Sequence, residues 1–167
     1  MINTIEGLLR PSIPTPVPQL DGSYNLMLDI GINADCKPEY LNQFAMLGSF
    51  YMHEILGKEN PKVALLNIGE EEGKGNLLAQ SAYTLMKENS NINFKGNIEG
   101  RDLLENDVDI VITDGFTGNI VLKFAESLYD VIRVKGNVES EFLDKFNHRL
   151  YAGVPRSEEH TSELQSP

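Results

Sequence analysis

Tryptophan is absent from this 167-residue chain, and cysteine occurs once, at Cys36. A single cysteine cannot close an internal disulfide, which excludes a disulfide-stapled secreted scaffold and points to a reducing, cytoplasmic setting. Basic residues are scarce, with 14 Lys and Arg against 25 Asp and Glu and a formal net charge of -11. Binding along a phosphate backbone draws on clustered Lys and Arg, so no nucleic acid is expected as a partner. No apolar run approaches the roughly 20 residues of a membrane-spanning helix. The opening Met1 to Arg10 also lacks the basic flank and continuous apolar stretch of a secretory signal. His, Cys and carboxylates show no zinc-ligand spacing, so no zinc site is expected.

What the chain does have is alternation. Asn25 to Ile30 reads as a short buried strand, and Pro38 to Leu56 as a helix with Pro38 in its first turn and Gly57 as its cap. Lys62 to Ile68 is almost continuously apolar, the mark of a strand buried on both faces of a parallel sheet. A helix over Asn76 to Lys87, a strand over Asn91 to Phe94, a short helix over Glu99 to Leu104, a strand over Val108 to Thr113 and a long helix over Asn119 to Lys135 follow. Such an order predicts an α/β fold, a mostly parallel sheet with helices on both faces. A further amphipathic helix is expected over Val138 to Asn147.

Three regions divide the chain. Residues 1–24 form a proline-rich connector, with four prolines between Pro11 and Pro18, and residues 25–155 form a partial α/β domain. Residues 156–167 have no hydrophobic period and read like a translated sequencing-library adapter, so they are set apart as a non-native tail and the natural chain is expected to continue past Pro155.

In an open parallel sheet, ligands bind beyond the carboxyl ends of the strands, where backbone amides and helix N-termini converge. Three glycine-rich segments lie at such ends: Asp29 to Asp35, Asn67 to Asn76 and Thr113 to Asn119. In the second, Gly69, Gly73 and Gly75 permit close backbone approach, and Lys74 places a point charge before Asn76 and the next helix, which suits an oxyanion. Glu70, Glu71 and Glu72 leave a plain solvated acidic turn as the other reading, and the order lacks the spacing of a P-loop. In the third, Asp114, Thr117 and Asn119 surround Gly115 and Gly118. Either the segment merely caps a helix, or Asn119 and nearby amides donate to charge developing on a substrate oxygen. The first offers Asn33, Asp35 and Lys37 beside Cys36, with no base in view to activate the thiol. His53 and His148 read as structural or solvent-facing.

Taken together, DIGINADCKPEYL, VALLNIGEEEGKGN, NFKGNIEGRDLL and VITDGFTGNIVLK resemble the PlsX family of phosphate acyltransferases, over roughly Leu28 to Lys123. The resemblance implies a three-layer α/β/α sandwich, related to phosphotransacetylases and to the isopropylmalate dehydrogenase class, here incomplete at both ends. It implies transfer of a fatty acyl group from acyl carrier protein to inorganic phosphate, giving acyl phosphate for bacterial phospholipid synthesis, in a cytoplasmic homodimer with no cofactor. Lys74 and Asn119 stand at the family's catalytic positions. The resemblance brings in Asn33, Asp35, Asn67, Gly69, Gly73, Gly75, Asn76, Asp114, Gly115, Thr117 and Gly118 as substrate-binding.

Two departures temper it. The family's early glycine-rich acidic motif and a further Asn-Thr-Gly loop do not occur before Asp29, so low or no activity is expected of the chain as written. The helical hairpin between Ala125 and Phe146 is short, so membrane association is expected to be weak and peripheral at most. Lys95, Arg101, Lys123, Arg133 and Lys135 would have to form a local basic face for acidic acyl carrier protein. The competing readings are a phosphotransacetylase-like or dehydrogenase-like enzyme of the same architecture, and a non-catalytic binding module.

Overall fold

The structure, a computed structural model, describes residues 7–136. The helix expected over 138–147, His148 and the tail 156–167 lie outside the described residues. Five strands form one sheet: β1 (Thr15–Pro18), β2 (Tyr24–Leu28), β3 (Lys62–Asn67), β4 (Asn93–Glu99) and β5 (Ile110–Ile112), in the order β1-β2-β5-β3-β4. The helices are α1 (Pro38–Leu56), α2 (Leu77–Glu88) and α3 (Gly115–Asp130), with a 3-10 turn at Gly100–Asp102 and a π turn at Val131–Lys135. All pairings are parallel except β1 with β2.

Alternate residues of the central strands feed two cores. Leu26, Leu28, Val63, Leu65, Ile110 and Ile112 pack with Leu41, Phe44, Ala45 and Met52 of α1 and with Ala82 and Met86 of α2. Met27, Ala64 and Val111 face the other way and meet Ile98, Leu103 and Val121 of α3. Two covered faces explain the unbroken apolar runs of β3 and β5, since neither face is left to water. The result is the expected α/β/α arrangement.

Four local outcomes differ from expectation. The proline-rich segment is extended, but Thr15–Pro18 is an edge strand of the sheet itself, where prolines are tolerated because an outer N–H is not needed. β4 runs on to Glu99 across Lys95 and Gly96, well past Phe94. The expected helix over Glu99 to Leu104 is a single 3-10 turn. Finally, α3 begins at Gly115, so most of the third glycine-rich segment is the first turn of a helix instead of a loop.

Along α3, Phe116, Ile120, Phe124 and Leu128 recur every four residues and are all exposed, leaving an apolar stripe on its outer side. No helix among the described residues is long and apolar enough to cross a membrane.

Candidate active site at the strand ends

β3 and β5 are parallel neighbours, yet the helices that follow them leave on opposite faces, α2 with the first core and α3 with the second. Such a divergence opens a crevice beyond the strand ends. A cleft of about 420 Å3 occupies this point, its polar lining supplied by Asn67, Asn76, Thr113, Asp114 and Thr117. Its apolar lining includes Leu65, Leu66, Leu78 and Val121, with Ile68 on the rim at 82% exposure. The size falls in the range of about 300 to 1,000 Å3 common for small-ligand sites.

Both helices start beside the cleft, each with a side-chain cap. Asn76 Oδ1 accepts from Ala79 N–H at 2.9 Å. Asp114 accepts from Thr117 N–H and from its hydroxyl, both at 2.8 Å. A helix start carries amides with no intrahelical partner, which suits an anion; at α3 the Gly115 amide is already taken by the Asn33 carbonyl, so α2 offers the freer start.

The segment between Asn67 and Asn76 forms the outer rim. Asn67 donates through Nδ2 to the Lys74 carbonyl at 3.0 Å and to Asn97 Oδ1 at 3.1 Å, while its Oδ1 accepts from Ile68 N–H at 2.8 Å. Gly75 has φ +89, and a Cβ there would collide with the Asn67 side chain. Gly69 lies buried beneath Glu71 and Lys74, and Gly73 is open to solvent. Of the three glutamates that threatened an anion site, Glu72 turns away to pair with Lys87 at 2.8 Å. Glu71 lies 3.7 Å from the Lys74 ammonium, and both groups are at least half exposed.

A second group of expected residues sits on the other side of the α3 start. The Asp29 carboxylate, fully buried, accepts from Gly31 and Ile32 N–H at 3.3 and 3.2 Å, and from Asn33 N–H and Nδ2 at 2.7 Å each. Asn33 also donates to the Pro11 carbonyl at 2.8 Å, so both of its amide protons are used inside the protein. Its own carbonyl accepts from Gly115 N–H at 2.8 Å. A Cβ on Gly115 would strike the Asn33 backbone, and one on Gly118 would fall on the Asp29 carbonyl oxygen. Asn119, exposed, donates through Nδ2 to the Ile30 carbonyl at 3.2 Å, which leaves its second amide N–H for a ligand. Asp35 is exposed nearby.

The expected residues thus fall into two sets joined by α3. Asn67, Gly75, Asn76, Asp114 and Thr117 line the cleft, and Asn33, Gly115, Gly118 and Asn119 form the seam between α3 and the 29–33 segment. Lys74, Gly69 and Gly73 lie on the rim. Cys36 donates to the Asn33 carbonyl at 3.3 Å, and burial pushes its thiol pKa up, with Asp114, Asp29 and Asp35 adding to the rise against a lowering contact from the Gly115 amide. A thiol so placed stays protonated and is a poor nucleophile. His53 is exposed near the end of α1, against Glu54 at 2.8 Å. Among the described residues, no group of three or more His, Cys, Asp or Glu is placed to hold a metal ion.

Asp29 and Asn97 were not anticipated as parts of the site. Asn97 carried one signal: it belongs to a Lys-Gly-Asn triplet like the one at Lys74 to Asn76.

A family model described as "Fatty acid synthesis protein" matches residues 1–152. The chain belongs to this family. A phosphate acyltransferase of Fusobacterium nucleatum subsp. nucleatum is 50% identical over 155 residues, covering 92% of this chain and 47% of the relative. Another from Dictyoglomus turgidum is 50% identical over 131 residues, and one from a Nostoc species 52% over 132, each covering 78% of this chain and 39% of the relative. This member of the fatty acid synthesis protein family therefore spans less than half the length of those relatives. The resemblance to PlsX-family phosphate acyltransferases is borne out. The EutD phosphotransacetylase from Staphylococcus aureus shares the fold, with a TM-score of 0.58 and 19% identity over 75% of this chain and 44% of that one.

Proposed function

We propose that this chain takes part in transferring a fatty acyl group from acyl carrier protein to inorganic phosphate, forming acyl phosphate in the cytoplasm. The observation that carries this reading is the cleft where the capped starts of α2 and α3 meet above apolar walls. It offers an anion-binding end and a greasy side in one crevice, and the curated relatives bear the name phosphate acyltransferase.

In this mechanism, Lys74 and the first-turn amides of α2 hold phosphate. A phosphate oxygen attacks the thioester carbonyl, which lies over the start of α3 so that the second Nδ2 proton of Asn119, on the far side of that turn from the cleft, donates to the tetrahedral oxyanion. The C–S bond then breaks, and the carrier's thiolate leaves with the electron pair. No covalent enzyme intermediate, metal or cofactor enters. Leu66, Ile68, Leu78 and Val121 receive the start of the acyl chain. Acyl carrier protein needs a basic landing surface, for which exposed Lys95, Arg101 and Lys123 are the candidates, although Arg101 and Lys123 each already hold a carboxylate, Glu99 and Glu126. The stripe of Phe116, Ile120, Phe124 and Leu128 supports a homodimer, because a continuous exposed apolar face is commonly covered by a second subunit.

Residues 7–136 exchanged into the Fusobacterium nucleatum relative give a full-length chimera for the test. Long-chain acyl carrier protein plus phosphate should yield acyl phosphate. Faster turnover of acetyl-CoA, or product formation independent of phosphate, would overturn the reading.

A further inference from the structure

We infer that Asn97, on the strand next to the rim segment, is the positioning residue that sets the place of Lys74. The importance of Lys74 rests on the reading above, but the geometry of Asn97 does not.

β4 carries an irregularity that aims this side chain. Val63 pairs with Phe94, and Leu65 pairs with Asn97, so β4 has one more residue than β3 across that stretch. The extra residue falls at Lys95 and Gly96, where Gly96 has φ +103. One inserted residue reverses which side chains face which way beyond it. Phe94 packs with the first core and Ile98 with the second, so Asn97 is turned to the face that α2 covers. The segment leading into α2 passes over that face.

There Asn97 Nδ2 donates to the Glu71 carbonyl at 2.8 Å and reaches the Glu70 carbonyl at 3.5 Å. Lys74 N–H donates to the same Glu71 carbonyl at 3.1 Å. At its other end, Asn97 Oδ1 accepts from Asn67 Nδ2, which also holds the Lys74 carbonyl. Lys74 is therefore gripped at its N–H and at its C=O, and both grips refer back to Asn97. Because Asn97 spends both ends of its amide within the protein, it orients the segment and does not bind a ligand. An amide suits the task, since it donates to one side and accepts from the other without adding charge beside Lys74.

The test uses Asn97→Ala and Asn97→Asp. The aspartate has nearly the same shape but would face the Glu71 carbonyl with an acceptor, so a space-filling role predicts a benign change and a positioning role a damaging one. In the 167-residue chain, both variants should speed exchange of the Lys74 amide, the hydrogen-bonded N–H of the 69–75 segment, by about tenfold and leave α1 unchanged. Unchanged exchange in that segment would overturn the inference.

In the chimera, Asn97→Ala should lower kcat, and combining it with Lys74→Ala should cost little more than Lys74→Ala alone, because the two act through one group. Additive losses would also overturn it. If Lys74→Ala leaves turnover intact, the proposed role of Lys74 falls, while the exchange result still decides whether Asn97 holds the segment.

Discussion

The two glycine-rich segments that border the cleft are built in opposite ways. At the start of α3, backbone lies directly on backbone, with Gly115 and Gly118 packed against Asn33 and Asp29. At the rim before α2, exposed chain is suspended from side-chain amides, chiefly those of Asn67 and Asn97. One wall is thus fixed by close packing and the other by a few hydrogen bonds. Close packing tolerates no added atom, whereas hydrogen bonds near water can be exchanged at small cost. The contrast assigns a rigid part to Asn119 and an adjustable one to Lys74.

The sharpest way to break this contrast is to add one carbon to each wall. Gly118→Ala should cost about 3 kcal/mol or more, since its Cβ would overlap the Asp29 carbonyl. Gly73→Ala on the rim meets nothing, and its change should stay within about 0.5 kcal/mol. Thermal or urea unfolding measures both, and equal effects would remove the distinction.

Next in size is Asp29→Asn. It keeps the shape but, whichever oxygen is replaced, turns two of the four accepted hydrogen bonds into a donor facing a donor, and should cost about 2 to 3 kcal/mol by the same measurement. The caps come third. Asp114→Ala loses two hydrogen bonds and should cost about 1 to 2 kcal/mol, with Asn76→Ala nearer about 1 kcal/mol because only one bond is lost.

The smallest effect belongs to Glu72→Gln. The Glu72 hydrogen bond and charge raise the Lys87 pKa, so any stabilisation from this exposed pair is complete at neutral pH and is lost only as pH rises through that raised value. Unfolding at pH 7 should not distinguish the variant from the parent, and an NMR titration of the Lys87 ammonium should show its pKa return toward the ordinary lysine range.

Much of the frame could be read from local pattern. Pro38 and Gly57 bracket α1 as foreseen, and the apolar run from Lys62 became a strand covered on both faces. Asn76 was legible as a helix start because its side chain can act only through residues close by in sequence. What escaped depends on partners far away in sequence. Lys95 and Gly96 look like the end of a strand unless the neighbouring β3 is present to accept a bulge. Asp29 gave no sign of being buried: its four donors are local, from Gly31, Ile32 and Asn33, but the turn that carries them is pinned by Pro11 and Gly115, both distant in sequence. The Thr113 to Asn119 segment passed for a loop because Gly115 and Gly118 disfavour helix by propensity, and close packing on the 29–33 segment overrides that preference.

The central claim is that a rigid Asn119 and an adjustable Lys74 serve one acyl transfer to phosphate. Its most direct test is the rate of acyl phosphate formation from long-chain acyl carrier protein by the chimera and its Lys74→Ala and Asn119→Ala variants. The account predicts that each substitution lowers kcat by about 100-fold or more. Rates within about threefold of the parent for both variants would contradict it.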